Sequence, residues 1–164
     1  MSRLVVPAMM MLSAIPVSAW QTASQGPVRP NFAGQWQLDP AKSKSEVKEL
    51  VWRIDQKDTE ISIEELAGGK SLCSAKCPIG KPCEFEDSGR KMGAMTYFLD
   101  KTLVQTRSAS DNSTVIKRHL KMDDDGSLRV ELITIVPADK TELLVFTRKD
   151  KAAADAPAPT ATVK

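Results

Sequence analysis

Three cysteines crowd into one stretch of the chain, Cys73, Cys77 and Cys83, and there is a single histidine, His119. Two chemistries fit that set. Three thiolates and an imidazole make a Cys₃His zinc site, whereas in an oxidising compartment the same thiols form a disulfide. The disulfide is the stronger reading. Pro78-Ile79-Gly80-Lys81-Pro82 reads as a turn that brings Cys77 and Cys83 together at two strand ends, and closing so small a loop contributes about 2 kcal/mol. Cys73 is then the odd thiol, open to pairing between chains, and a Cys73–Cys77 bridge remains the alternative. His119 alternates with Lys117 and Lys121, which places it on a solvent-facing side, so neither a metal nor a cofactor is expected.

Other polar groupings are poorer in chemistry. Asp123-Asp124-Asp125-Gly126 invites a calcium loop, but counting from Lys121 puts a lysine at the first position and Leu132 at the twelfth, where a bidentate glutamate is needed. A hairpin turn is the simpler assignment. The sequence contains no Gly-x-Ser-x-Gly elbow, phosphate loop or metal-binding helix. Glu64-Glu65 and Asp123-Asp124 are adjacent pairs, and neighbours on a strand point to opposite faces. With one histidine and no base beside a nucleophile, no catalysis is expected.

The elements that carry these residues are strands. Leu50, Trp52 and Ile54 share a face opposite Arg53 and Asp55, and after a turn at Lys57-Asp58 the residues Ile61 and Ile63 alternate with Glu60, Ser62 and Glu64. Further strands follow at 92–99, 102–107, 115–122, 127–136 and 141–149, the fourth of these introduced by Asp125-Gly126. Only 40–48 invites a helix, with Asp39 as a cap before Pro40, and one turn is its expected extent. Short strands and tight turns predict an all-β, antiparallel up-and-down meander that closes into a small barrel of about eight strands. On one of them Ile116, Arg118, Leu120 and Met122 share a face. If the apolar members point inward, so does Arg118, and a buried guanidinium requires an anionic partner such as a ligand carboxylate, unless it reaches water at the barrel mouth. Arg118, with the inward-facing Trp52 and Met122, is therefore the candidate ligand-binding set.

The domain begins with Phe32-Ala33-Gly34-Gln35-Trp36-Gln37-Leu38 and ends with Leu144-Val145-Phe146-Thr147-Arg148. These segments resemble the lipocalin and calycin barrels, whose first strand carries a Gly-x-Trp motif and whose last carries an arginine across that tryptophan. The resemblance assigns Gly34, Trp36 and Arg148 to barrel closure, the guanidinium–indole contact being worth about 1 kcal/mol where partly desolvated. Together with CPIGKPCEF, the chain is similar to secreted, lipocalin-like bacterial proteins of unassigned function. The resemblance implies a lipocalin-like barrel enclosing a small apolar or amphiphilic ligand. The alternative is a filled barrel whose Cys73-to-Gly89 hairpin or sheet edge engages another exported protein as an inhibitor or adaptor.

At the amino terminus, Arg3 precedes an apolar run from Leu4 to Val17, and Val17-Ser18-Ala19 suits signal-peptidase cleavage after Ala19. The run is too short and too broken by Pro7 and Pro16 for a membrane span, and no cysteine follows it to accept a lipid. The expected organisation is a signal peptide over 1–19, a flexible leader over 20–30, one barrel domain over 31–150 and a disordered Ala/Pro tail over 151–164. Export implies a periplasmic or extracellular location. Charge excludes one partner class: 23 basic and 21 acidic residues are interspersed and leave a net charge of +2, without the basic patch that nucleic-acid binding demands.

Overall fold

The computed structural model describes residues 29–45 and 49–149. The expected signal peptide and the 151–164 tail lie outside the described residues, as does most of the leader. Ten antiparallel strands follow in chain order: β1 (Gly34–Leu38), β2 (Val51–Gln56), β3 (Glu60–Ala67), β4 (Lys70–Pro78), β5 (Pro82–Asp87), β6 (Arg90–Leu99), β7 (Thr102–Ala109), β8 (Val115–Met122), β9 (Leu128–Val136) and β10 (Lys140–Arg148). Each pairs with its neighbour in sequence, and β1 pairs with both β2 and β10, which closes the barrel. No described helix is long and apolar enough to cross a membrane.

The barrel thus has ten strands where the sequence suggests about eight. The two additional strands are β4 and β5, so the Cys73-to-Gly89 stretch is barrel wall and not a protruding hairpin. Their inward residues explain why they are hard to read. On β4 the buried face consists of Cys73, Ala75 and Cys77, small or sulfur-bearing side chains that make a weak apolar alternation. Strand β5 opens on Pro82 and carries Glu84, Glu86 and Asp87, all types depleted in strands. The Asp39-Pro40 segment is a single turn: Asp39 Oδ1 accepts from the Ala41 amide at 3.0 Å and its carbonyl accepts from the Ser43 amide at 3.0 Å.

Closure is built at the β1–β10 junction. Trp36 lies opposite Arg148 in the ladder, is fully buried, donates its indole N–H to the Phe32 carbonyl at 2.8 Å, and carries the Arg148 guanidinium 4.8 Å above its ring. Gly34 is required there. Its φ of +142° is in the region that side chains avoid, while an added Cβ would meet the Arg148 guanidinium at an ordinary contact distance of 3.5 Å. Around this plug Phe32, Trp52, Ile61, Leu103, Leu120 and Phe146 pack into one core. The β8–β9 turn is the expected hairpin: Gly126 has φ +80°, and Asp125 accepts from the Ser127 amide and hydroxyl at 2.9 and 2.6 Å, bonds that hold its carboxyl at about 2.

Replacing Gly34 with Val combines backbone strain with displacement of Arg148 from the indole. The expected loss of stability is about 1–3 kcal/mol, seen as a lower urea midpoint by tryptophan fluorescence. An unchanged midpoint would mean that the plug tolerates a side chain at this position.

Candidate functional site

Strand parity brings three charged side chains together inside the barrel. On β3, Ile61, Ile63 and Glu65 point the same way; on β7, Leu103, Gln105 and Arg107 do; on β8, Arg118 and Leu120 do. Strand β3 lies across the barrel from β7 and β8, so the side chains meet in the interior. The Arg118 guanidinium grips Glu65 with two bonds, Nη1 to Oε1 at 2.6 Å and Nη2 to Oε2 at 3.1 Å, and Arg107 Nη1 reaches the same Oε1 at 2.8 Å. All three side chains are buried, Arg107 to 1% exposure. Arg107 Nε donates to Gln105 at 2.7 Å, and Gln105 donates to Thr96 at 3.1 Å. Aromatic faces flank both guanidiniums: Trp52 lies 5.2 Å from Arg118, and Phe85 4.9 Å from Arg107.

Two guanidiniums share one carboxylate, and the cluster keeps a formal charge of +1. Burial alone raises the Glu65 carboxyl, but the positive charges of Arg118 and Arg107 and their hydrogen bonds override it and hold the group below its ordinary value. Burial, and then repulsion from Arg118, pull Arg107 downward, with Glu65 opposing. The excess of positive charge also appears as unused donors. Arg107 Nη2, Arg118 Nε and Trp52 Nε1 are buried with no hydrogen-bond partner among the described residues, and buried polar atoms in native proteins are rarely left so.

The interior differs on the two sides of this cluster. Toward the Trp36 plug, Leu120, Leu128 and Val130 are sealed. Beyond Arg118, along the same inward faces, Ile116, Leu132 and Thr134 are only half-buried. Ile116 and Thr134 are ladder partners, and Leu132 is the partner of Arg118. The barrel is sealed on the plug side of the cluster at Leu120, Leu128 and Val130 and more accessible on the other at Ile116, Leu132 and Thr134, although Met92 and Ala109 are buried there too.

Of the sequence-derived ligand set, Arg118 and Trp52 come together here. Met122 does not; it lies four residues along β8, about 13 Å farther on, and packs against the core. Arg118 does point inward, but the anion it grips is Glu65 of its own chain. Glu65, Arg107, Gln105 and Phe85 are absent from the sequence-derived set, although Glu65 shares the parity of Ile61 and Ile63. Cys77 and Cys83 form the disulfide. Four strand residues separate Cys73 from Cys77 by about 13 Å, which removes the alternative bridge. Cys73 is instead a buried free thiol 3.6 Å from Arg107 Nη1, its pKa raised by burial. His119 projects from the outer face of β8 and bonds Glu131 at 3.0 Å, on the opposite side of the wall from Cys73.

No protein-family model matches the sequence, and no curated protein matches it. Solved structures do match in fold. One is described as the REP1-NXSQ fatty acid transporter, 16% identical, with a TM-score of 0.58 over 71% of this chain and 94% of that one. Another is fatty-acid-binding protein 1 of Echinococcus granulosus, 9% identical, TM-score 0.58, covering 72% of this chain and 97% of that one. A third is apo lipid binding protein 8 of Caenorhabditis elegans, 9% identical, TM-score 0.58, covering 72% and 95%. At these identities the likeness is one of architecture alone, a closed antiparallel barrel of the same fold.

Glu65→Gln removes the only negative charge of the cluster and leaves two buried guanidiniums without a counter-ion, an expected loss of about 3–5 kcal/mol. The pH dependence follows from the lowered carboxyl: its contribution is complete above the unfolded value of 4.5 and is lost as pH falls through the lower folded value. Urea unfolding across pH should therefore show a steep acid decline in the wild type that is reduced in E65Q. Equal stability of the two proteins at pH 7 would show that the cluster does not depend on its carboxylate.

Proposed function

We propose that this chain is an exported, non-enzymatic carrier that binds a small amphiphile inside the barrel through an anionic headgroup, in the periplasm or outside the cell. One observation carries the reading: a buried cluster of two guanidiniums and one carboxylate with Arg107 Nη2 and Arg118 Nε unsatisfied. A second anion would neutralise the cluster and accept from those donors, and charge-assisted bonds of this kind are the strong ones in a water-poor interior. The half-buried Ile116 and Leu132, with Met92 and Ala109 on the inward faces of β6 and β7, offer apolar surface for a tail. Headgroup against the cluster and tail toward the accessible end is the orientation that matches both halves. The fold neighbours are described as fatty-acid or lipid binders, which supports an aliphatic tail. The apolar run from Leu4 to Val17 supports export, and the Cys77–Cys83 bridge is of the kind that persists in oxidising compartments.

The test compares cis-parinarate with its methyl ester, which keeps the tail and lacks the charge. Fluorescence titration should give binding of the acid at least tenfold tighter than the ester, a preference that shrinks in Arg118→Met. Equal affinities for acid and ester would remove the anionic headgroup from the reading, and no binding of either would remove the carrier.

A further inference from the structure

The charges inside the barrel have a fixed sum. Arg107 on β7 and Arg118 on β8 bring two positive charges, and Glu65 on β3 brings one negative charge. Glu65 is engaged through both oxygens: Oε1 accepts from Arg107 at 2.8 Å and from Arg118 at 2.6 Å, and Oε2 accepts from Arg118 at 3.1 Å. One positive charge is left over, and so are three buried donors, Arg107 Nη2, Arg118 Nε and Trp52 Nε1. Trp52 belongs to the same cluster, since it lies opposite Glu65 in the β2–β3 ladder and its ring is 5.2 Å from the Arg118 guanidinium.

Among the described residues no group in contact with the cluster cancels the surplus. Trp52 from β2, Phe85 from β5, Thr96 from β6 and Gln105 from β7 are uncharged. Cys73 from β4 is buried, and burial raises its pKa, so its thiol is neutral. Asp87, across the β4–β5 ladder from Cys73, is half-buried, and among the described residues its carboxylate is bonded to Ser88 at 3.1 Å and to neither guanidinium. His119 and its partner Glu131 lie on the outer face of the wall.

A water-poor site with a fixed sum sorts ligands by charge number, because an ion is costly to bury unless an opposite charge meets it. A singly charged headgroup brings the sum to zero and accepts from the idle donors. A doubly charged one leaves a negative charge without a partner, beside a carboxylate that repels it. Two guanidiniums alone would favour the second. We propose that Glu65 is a charge filter: by occupying one of the two guanidinium charges it limits the amphiphile to a headgroup with a single negative charge, a carboxylate, a sulfonate or a phosphodiester, and rejects a phosphate monoester in its dianionic form. This rests on the carrier reading and adds the class of headgroup and the residue that selects it.

Calorimetric titration with two amphiphiles of equal tail, below their micellar concentrations, tests this. Dodecanesulfonate carries one charge throughout, and dodecyl phosphate passes from one charge to two at about pH 6. Glu65 remains ionised on both sides of that step: burial raises its carboxyl, but the two guanidiniums outweigh burial and hold it below its ordinary value of 4.5. From about pH 5 to about pH 8 the affinity of the wild type for the phosphate should fall at least tenfold relative to the sulfonate, a ratio that cancels His119 and every other group titrating in the interval. In Glu65→Gln the phosphate should bind at least as tightly at the higher pH as at the lower. Should that variant fail to fold, Arg107→Gln supplies the second: it leaves Arg118 and Glu65 paired one to one, and should bind the sulfonate at least tenfold more weakly than the wild type. An unchanged phosphate-to-sulfonate ratio in the wild type overturns the filter and leaves the carrier standing. So does a pH preference that survives in Glu65→Gln, or a sulfonate affinity unchanged in Arg107→Gln. Failure of the wild type to bind either amphiphile overturns the carrier and the filter together.

Discussion

Glu65 holds two guanidiniums in the middle of the barrel, and much of the interior is arranged around that contact. Ionised groups are costly to bury, and the cost is offset only when geometry and hydrogen bonding are good. Arg118 meets the requirement with a bidentate grip on the carboxylate, and Arg107 is held by Glu65, Gln105 and, through Gln105, Thr96. The arrangement ties β3 to β7 and β8 across the barrel, where backbone ladders cannot reach. It still leaves the two guanidiniums with one positive charge more than Glu65 itself neutralises.

The wall and the plug are organised to suit that centre. At the β1–β10 junction Trp36 is enclosed between Phe32 and Arg148, with Gly34 making room for the guanidinium, and the core below the cluster is sealed. On the other side Ile116, Leu132 and Thr134 are half-buried. The weakest stretch of backbone pairing, between β4 and β5, lies against Arg107, and a covalent bond stands where ladder bonds are missing.

Much of the wall is legible from residue order. Period-two alternation in 50–55, 92–99, 102–107, 115–122 and 127–136 identifies strands because successive side chains fall on opposite faces, the inward one mostly apolar, and Asp125-Gly126 identifies a turn because Gly126 accepts the positive φ without strain. The strands that escape this reading, β4 and β5, are those whose inward faces carry cysteines, alanine, a lone phenylalanine and an acid. Hence a barrel of about eight strands is expected and ten are found. The Pro-Ile-Gly-Lys-Pro turn favours Cys77 with Cys83, the pair the structure contains, but residue order leaves Cys73–Cys77 open until extended β4 holds those two thiols apart.

The site divides along the same line. Local order determines which way each side chain points: Arg118 is inward because Leu120 is, and Glu65 because Ile61 and Ile63 are. Local order does not determine what an inward charge meets. The partner of Arg118 comes from a strand 53 residues away in the chain, and Arg107 joins them from a third strand, so the cluster and its uncompensated charge arise only when closure and strand stagger superimpose distant positions at one level of the barrel. Parity is a property of neighbours along the chain; the level at which strands meet is a property of the closed sheet.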